Sequence, residues 1–174
     1  MRIGIGYDIH RFNGPPARRA RAGKRPLKLG GVTIPCSRGL LGHSDADVLL
    51  HAVADALFGA IGAPDLGEQF PPGNPRYRNA DSRIFVQRAY TEVRRQGLSI
   101  GNIDATVIAD APMLTPYKTR MRRAISELLQ VDAARVSVKA KTTEGFSPSS
   151  QGIASHVVVL LEPRHRTRVR GKSS

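Results

Sequence analysis

Residues 44–61 (SDADVLLHAVADALFGAI) constrain the fold more than any other part of the chain. Val48, Leu49, Val53, Leu57, Phe58 and Ile61 recur at helical spacing, which predicts a long helix whose apolar face must be covered. Ser44 stands where an N-cap is expected, and Asp47 three residues on can complete a capping box. Around this helix the patterns are mostly those of strands. Residues 2–10 alternate small or polar residues with Ile3, Ile5, Tyr7 and Ile9, the period-two signature of a strand. Leu27 to Ile34 predicts a short hairpin turning at Gly30-Gly31. Residues 62–79 contain four prolines and three glycines and predict a loop; a loop this long in a compact domain is usually functional or disordered. A second helix is expected over about 80–96, with Ile84, Phe85, Tyr90 and Val93 before Gly97. Ile103 to Ala109 predicts a strand, and Thr115-Pro116 opens a helix to about Leu129 with a cap followed by proline. Val136 to Lys141 and Ile153 to Leu161 are the last strands. The order β-β-β-α-α-β-α-β-β, without internal repeat, predicts one α/β domain of the α+β type, with helices packed on one face of a mixed sheet.

Composition supports this frame. Forty per cent hydrophobic residues in 174 suffices for one compact core. No run approaches the roughly 20 apolar residues of a membrane span. The opening MRIGIGYDIH has neither signal- nor transit-peptide character. Cys36 is the only cysteine, which excludes an intramolecular disulfide and suggests a reducing, cytoplasmic setting. The net charge of +13 suggests nucleic acid until it is located. Ten cationic side chains lie in two places: Arg18, Arg19, Arg21, Lys24 and Arg25 in an insertion (about 13–26), and Arg164, Arg166, Arg168, Arg170 and Lys172 in a tail (163–174). Both stretches lack apolar periodicity and read as solvated appendages. They can attract polyanions non-specifically, but without stacking aromatics a dedicated nucleic-acid role is not expected.

The chemistry-bearing residues fall in two short stretches. Asp8 and His10 are two apart on a predicted strand, so both side chains leave the same face. Asp47, His51 and Asp55 follow at four-residue intervals along one helical stripe, just after His43. An aspartate with two histidines suits zinc and leaves a coordination position open for a substrate oxygen. The same spacings also suit a polar, solvated face, and on the residues alone both readings stand.

GYDIHRF, LLGHSDADVLLHAVADALFGA, PDLGEQFP, ADAPMLTPY, VKAKTTEGF and QGIA occur in this order. Together they resemble the 2-C-methyl-D-erythritol 2,4-cyclodiphosphate synthase family of the non-mevalonate isoprenoid pathway, over residues 1–162 apart from the basic insertion. The resemblance implies a homotrimer with each site built across a subunit boundary. It implies zinc on Asp8, His10 and His51, and a second divalent cation, magnesium or manganese, on Glu144. His43 is implied to stabilise transition-state charge and, with Ser44, to contact the phosphates; a helix N-terminus suits anions there. Thr142 is the implied phosphate-binding threonine. Asp65, Leu66 and Gly67 resemble the ribose contacts. Phe70, Pro71, Pro72, Gly73 and Asn74 resemble a lid over the methylerythritol. Ala109, Asp110, Ala111, Pro112, Met113, Leu114 and Thr115 resemble a cytosine pocket read mainly by backbone. Asp8, Ile9 and His10, together with Lys141, Thr142, Thr143, Glu144 and Phe146, complete the implied substrate contacts. The implied reaction is intramolecular phosphoryl transfer with loss of CMP.

The chain departs from the family pattern in places. Pro72 replaces a frequent aspartate, Met113 a common lysine, Ser149 a frequent arginine and Gln151 an acidic residue, and the segment after Glu144 is two residues shorter. A metal-dependent phosphohydrolase and a basic nucleic-acid-associated protein are the competing classes. Loss of the arginine at position 149 implies weak or absent binding of an isoprenoid diphosphate at the trimer axis. Calorimetry with geranyl diphosphate should therefore show no tight binding.

Overall fold

The computed structural model describes residues 1–14, 26–145 and 151–164. The basic insertion and tail therefore fall almost wholly outside the described residues. In chain order the elements are β1 (Arg2–Arg11), β2 (Leu27–Leu29), β3 (Val32–Ile34), α1 (Val48–Ala60), α2 (Leu66–Gln69), α3 (Arg83–Arg95), β4 (Leu98–Ile108), α4 (Lys118–Leu129), β5 (Val136–Lys141) and β6 (Gly152–Pro163). Four strands form a mixed sheet in the order β1-β6-β4-β5. β6 runs antiparallel to both β1 and β4, whereas β4 and β5 are parallel. β2 and β3 make a separate hairpin.

Among the described residues the sheet has one covered and one uncovered face. On the covered face α1 lies directly against β1, because Gly4 and Gly6 supply no side chains there. A Cβ added at Gly4 would fall 2.0 Å from the Ala56 carbonyl oxygen, and one at Gly6 1.9 Å from that of Ala52. Ala52, Ala56 and Ala60 answer these glycines from the helix, and α1 is buried on nearly every side. That explains why it is so apolar. β4 and β6 contribute Ile103, Ala105, Val107, Ile153, Val157 and Val159 to the same core. The alternating residues Ile3, Ile5, Tyr7 and Ile9 turn the other way and are exposed. In β1 the small residues, not the large ones, face the core.

Several local expectations need correction. α1 starts at Val48, not near Ser44, and its N-cap is Asp47. The Asp47 carboxylate accepts N–H bonds from Leu50 (3.0 Å), Gly30 (2.8 Å) and Gly31 (2.7 Å). One buried carboxylate thus caps the helix and holds the β2–β3 turn, where both glycines have positive φ. Burial pushes its carboxyl up, opposed by the three N–H bonds. Thr115 makes no cap; a 3-10 turn over Thr115–Tyr117 precedes α4. The 62–79 loop contains α2, capped by Asp65, and a 3-10 turn over Pro75–Tyr77, capped by Asn74. β4 begins at Leu98, five residues before the expected start.

Two outcomes follow. Asp47→Ala removes a cap and strands two glycine N–H groups, so urea unfolding should show a loss of about 3 kcal/mol. Gly6→Ala drives a methyl into the α1 backbone and should cost about 3 kcal/mol or more in the same measurement.

Candidate active site

The covered face of β1 continues past Gly4 and Gly6 to Asp8 and His10, which follow at the same period of two. His51 faces them from the first turn of α1. The close α1–β1 packing therefore sets the distance between the two elements at this end of the sheet. Asp8 Oδ2 is 2.9 Å from His10 Nε2 and 2.9 Å from His51 Nδ1. The two ring nitrogens are 3.1 Å apart. These three side chains are the one group of three or more metal-ligating types, among the described residues, whose donor atoms all lie within 4.8 Å of one another. Burial raises the cost of ionising Asp8, but hydrogen bonds from His10 and His51 outweigh it and hold the carboxyl well below the usual carboxylate range. An ionised oxygen donor with two converging imidazole nitrogens is a donor set that fits a divalent ion of the zinc type.

The triad opens on a cleft of about 400 Å³. His43, Ser44, Asp65, Leu66, Gly67, Phe70 and Pro72 also line it. Phe70 is fixed from behind by Phe85 (ring centroids 4.6 Å apart) and Tyr77 (5.2 Å). A neighbouring cavity of about 320 Å³ shares His43 and Pro72 and adds Gly73, Asn74 and Arg78. The Ser44 side chain is buried and turned to His51 Nε2, 3.0 Å away, rather than out to the cleft. Ile9 lies on the opposite, uncovered face.

Residues 109–115 and 141–144 do not line this cleft. They gather at the C-terminal ends of β4 and β5, where Ala109 N–H bonds the Lys141 carbonyl (2.9 Å). The Asp110 carboxylate accepts the Thr143 backbone N–H (2.7 Å) and its hydroxyl (2.8 Å). Thr142 donates to the Glu144 carboxylate, and Glu144 sits at φ +52°. β6 separates β1 from β4, so this second cluster lies two to three strands, roughly 10–14 Å, from the strand of the triad. Leu114 points into the core, whereas Met113 is exposed. Phe146 and Ser149 lie outside the described residues.

Four residues of this region were not foreseen as functional. Asp55, on the helical stripe, lines the cleft and accepts the Leu66 N–H at 2.9 Å, tying α1 to the 65–67 turn. Burial pushes its carboxyl up, with Asp65 and Asp8 adding to the rise. Arg78 brings a cation beside His43, and Tyr77 backs Phe70. Ser82 meets His51 from the start of α3. Only Asp55 had a sequence signal, its four-residue spacing from His51.

The YgbB family matches residues 1–162. The chain belongs to the YgbB family. It is 48% identical over 166 residues to a 2-C-methyl-D-erythritol 2,4-cyclodiphosphate synthase of Bacillus cytotoxicus, covering 94% of this chain and 99% of that one. A Bacillus cereus relative of the same name matches equally. Among solved structures, the bifunctional IspDF of Campylobacter jejuni superposes with a TM-score of 0.83 at 38% identity. That match covers 92% of this chain but 42% of the bifunctional one. A CDP-bound 2C-methyl-D-erythritol-2,4-cyclodiphosphate synthase gives 0.81 at 34% identity, covering 92% of this chain and all of that one. A Plasmodium falciparum IspF–CDP complex gives 0.78 at 32%, with coverages of 94% and 97%. The site of this YgbB-family chain therefore sits on a fold shared along nearly its whole described length. His51→Ala removes one of three converging donors, and zinc titration against a competing chelator should show at least a 100-fold weaker affinity, about 3 kcal/mol.

Proposed function

We propose that this chain converts 4-diphosphocytidyl-2-C-methyl-D-erythritol 2-phosphate to 2-C-methyl-D-erythritol 2,4-cyclodiphosphate and CMP, as a phosphorus–oxygen lyase of non-mevalonate isoprenoid biosynthesis. The convergence of Asp8, His10 and His51 beside the His43 cleft carries this reading. Family membership and relatives named for that activity support it. An oxygen of the 2-phosphate forms a bond to the β-phosphorus as the bond from that phosphorus to the CMP oxygen breaks. No water is consumed and the electron pair leaves with CMP. A phosphate monoester is already anionic near neutral pH, so no side-chain base is required. The task is to hold mutually repelling phosphates in line and to stabilise the charge that develops.

His43 is the transition-state stabiliser, and Arg78, which lines the adjoining cavity with it, is a cation for the phosphates. Asp8, His10 and His51 would hold zinc and Glu144 would hold magnesium or manganese, ions that supply Lewis-acid polarisation and charge neutralisation when bound. Thr142 hydrogen-bonds a phosphate. Asp65, Leu66 and Gly67 take the ribose, and residues 109–115 the cytosine. Phe70 to Asn74 cover the methylerythritol, with Phe70 as the fixed end of that cover.

The reading includes a homotrimer. Ile3 (66% exposed), Ile5 (70%), Ile9 (57%) and Val158 (43%) form an apolar face that no helix among the described residues covers, as expected of a subunit contact. The two residue clusters lie apart in one chain. Packing the uncovered faces together brings residues 109–115 and 142–144 of one subunit to the triad cleft of the next. A cytoplasmic location fits the lone cysteine, and no described helix is long and apolar enough to cross a membrane.

Phosphorus NMR of the reaction should show a cyclic diphosphate and stoichiometric CMP, and chelation should abolish both. A linear product would overturn the proposal in favour of a phosphohydrolase. His51→Ala and Thr142→Ala should each be nearly inactive alone. Co-refolded in equal amounts, they should regain roughly a quarter of wild-type turnover, because that share of boundaries pairs two intact halves. No recovery would place both halves of a site in one subunit.

A further inference from the structure

We propose that Ser82, backed by Asp45 and Lys28, is a positioning residue that draws the ring proton of His51 toward Nε2 so that Nδ1 is offered to a divalent ion. The inference deepens the reading of Asp8, His10 and His51 as a metal site and rests on it. Ser82 occupies the N-cap position of α3, yet its hydroxyl makes no cap bond. It is fully buried and used elsewhere. Its Oγ lies 2.9 Å from His51 Nε2 and 2.5 Å from Asp45 Oδ1. The other Asp45 oxygen receives Lys28 Nζ at 3.1 Å. The Asp45 carboxylate is anchored to the Ser82 N–H as well (3.3 Å), and its backbone N–H bonds the Ala80 carbonyl (2.9 Å).

The direction of this chain follows from counting protons. A serine hydroxyl has one hydrogen to donate and lone pairs to accept with. An ionised carboxylate is acceptor-only and makes the stronger, charge-assisted bond. Ser82 therefore gives its hydrogen to Asp45 and turns only lone pairs toward His51. That favours the Nε2–H form of the neutral imidazole, against Asp8, whose carboxylate 2.9 Å from Nδ1 favours Nδ1–H, and only the Nε2–H form leaves the Nδ1 lone pair for an ion. Ser44 Oγ, 3.0 Å from the same Nε2, can either donate or accept. By itself Ser44 does not choose the tautomer. Removing Ser82 frees Ser44 to donate to Nε2, and the imidazole proton moves to Nδ1, where it competes with the ion. Outer partners of metal-bound histidines act this way elsewhere, and their loss costs roughly 10–100-fold in affinity. Lys28 compensates the half-buried Asp45 charge, so the hydrogen-bond path ends on an ion pair rather than an unpaired carboxylate.

Zinc affinity of the full chain is measured by chelator competition for wild type, Ser82→Ala, Asp45→Asn and the double variant. Circular dichroism establishes that each is folded. Nitrogen-15 NMR of labelled histidine reads the His51 tautomer in the metal-free proteins, at a pH where the ring is neutral. The expectation is a roughly 10–100-fold loss for Ser82→Ala. Asp45→Asn should show a smaller loss of the same sign, and the double variant no further loss, since all act through one path. Ser82→Ala should show a larger Nδ1–H share than wild type. Folded Ser82→Ala with affinity within about twofold of wild type would overturn the proposal, as would an Nδ1–H share no larger in Ser82→Ala than in wild type. If Ser82→Ala does not fold, Asp45→Asn carries the same test without touching His51. Wild type that binds no zinc would overturn the metal site itself, a result distinct from a site that binds but ignores Ser82.

Discussion

Everything at the triad end of the sheet depends on how near α1 lies to β1. Gly4 and Gly6 allow helix backbone to rest on strand backbone, with Cβ-sized gaps already filled by Ala52 and Ala56 carbonyl oxygens. Interiors are close-packed, so such a contact admits little adjustment. The consequence appears two and four residues further along β1. Asp8 and His10 leave the same face as the glycines, and His51 leaves α1 one turn from its start, within 3 Å or so of both. With one large side chain between the elements, these donors would stand too far apart to share a ligand. Core packing and site geometry are thus a single feature of the fold.

Position is set a second time by the loops that enter α1. Asp47 caps the helix and binds the β2–β3 turn, so the hairpin, the helix start and His51 move as one unit. Asp45, two residues earlier, links the same loop to α3 through Ser82. Asp55, one turn beyond His51, holds the 65–67 segment. Three acidic side chains therefore act mainly as acceptors for N–H and O–H groups, not as ligands. A buried carboxylate is tolerated where several donors compensate its desolvation, and Asp47, with three N–H donors, meets that condition.

The sequence was informative wherever period decided the matter. Asp8 and His10 shared a face by strand alternation, and the four-residue stripe put His51 where one side chain can meet both. Their convergence needed the glycine contact, which is tertiary. Local reading failed where a side chain's partner was remote along the chain. Ser44 looked like the N-cap because serine before an apolar helix usually is one, but its hydroxyl is claimed by His51, and Asp47 takes the cap because it also reaches Gly30 and Gly31. Ser82 stood in a capping position and offered no hint of its contact with a residue 31 positions away. In β1, alternation gave the strand but not which face was inside, because small residues facing a helix carry no hydrophobic signal of their own. Residues of the resembling blocks at 109–115 and 142–144 were legible as motifs, yet nothing in one chain's pattern revealed that they stand apart from the triad.

That separation joins the uncovered face to the proposed chemistry. A single domain of this size buries a limited share of its surface, and among the described residues the four-stranded sheet spends one face on helices and leaves the other apolar along β1 and β6. Burial at roughly 25 cal/mol per Å² favours covering that face with copies of itself. The same packing would carry the β4–β5 ends of one subunit, with Asp110 holding Thr143, to the cleft of its neighbour. In the proposed reaction the two ends of one substrate must be held together, phosphates at the triad and nucleotide at the opposite cluster. Dividing those tasks between chains makes a complete site conditional on assembly. The interface that stabilises the protein would then also be the element that aligns the attacking phosphate with its leaving group.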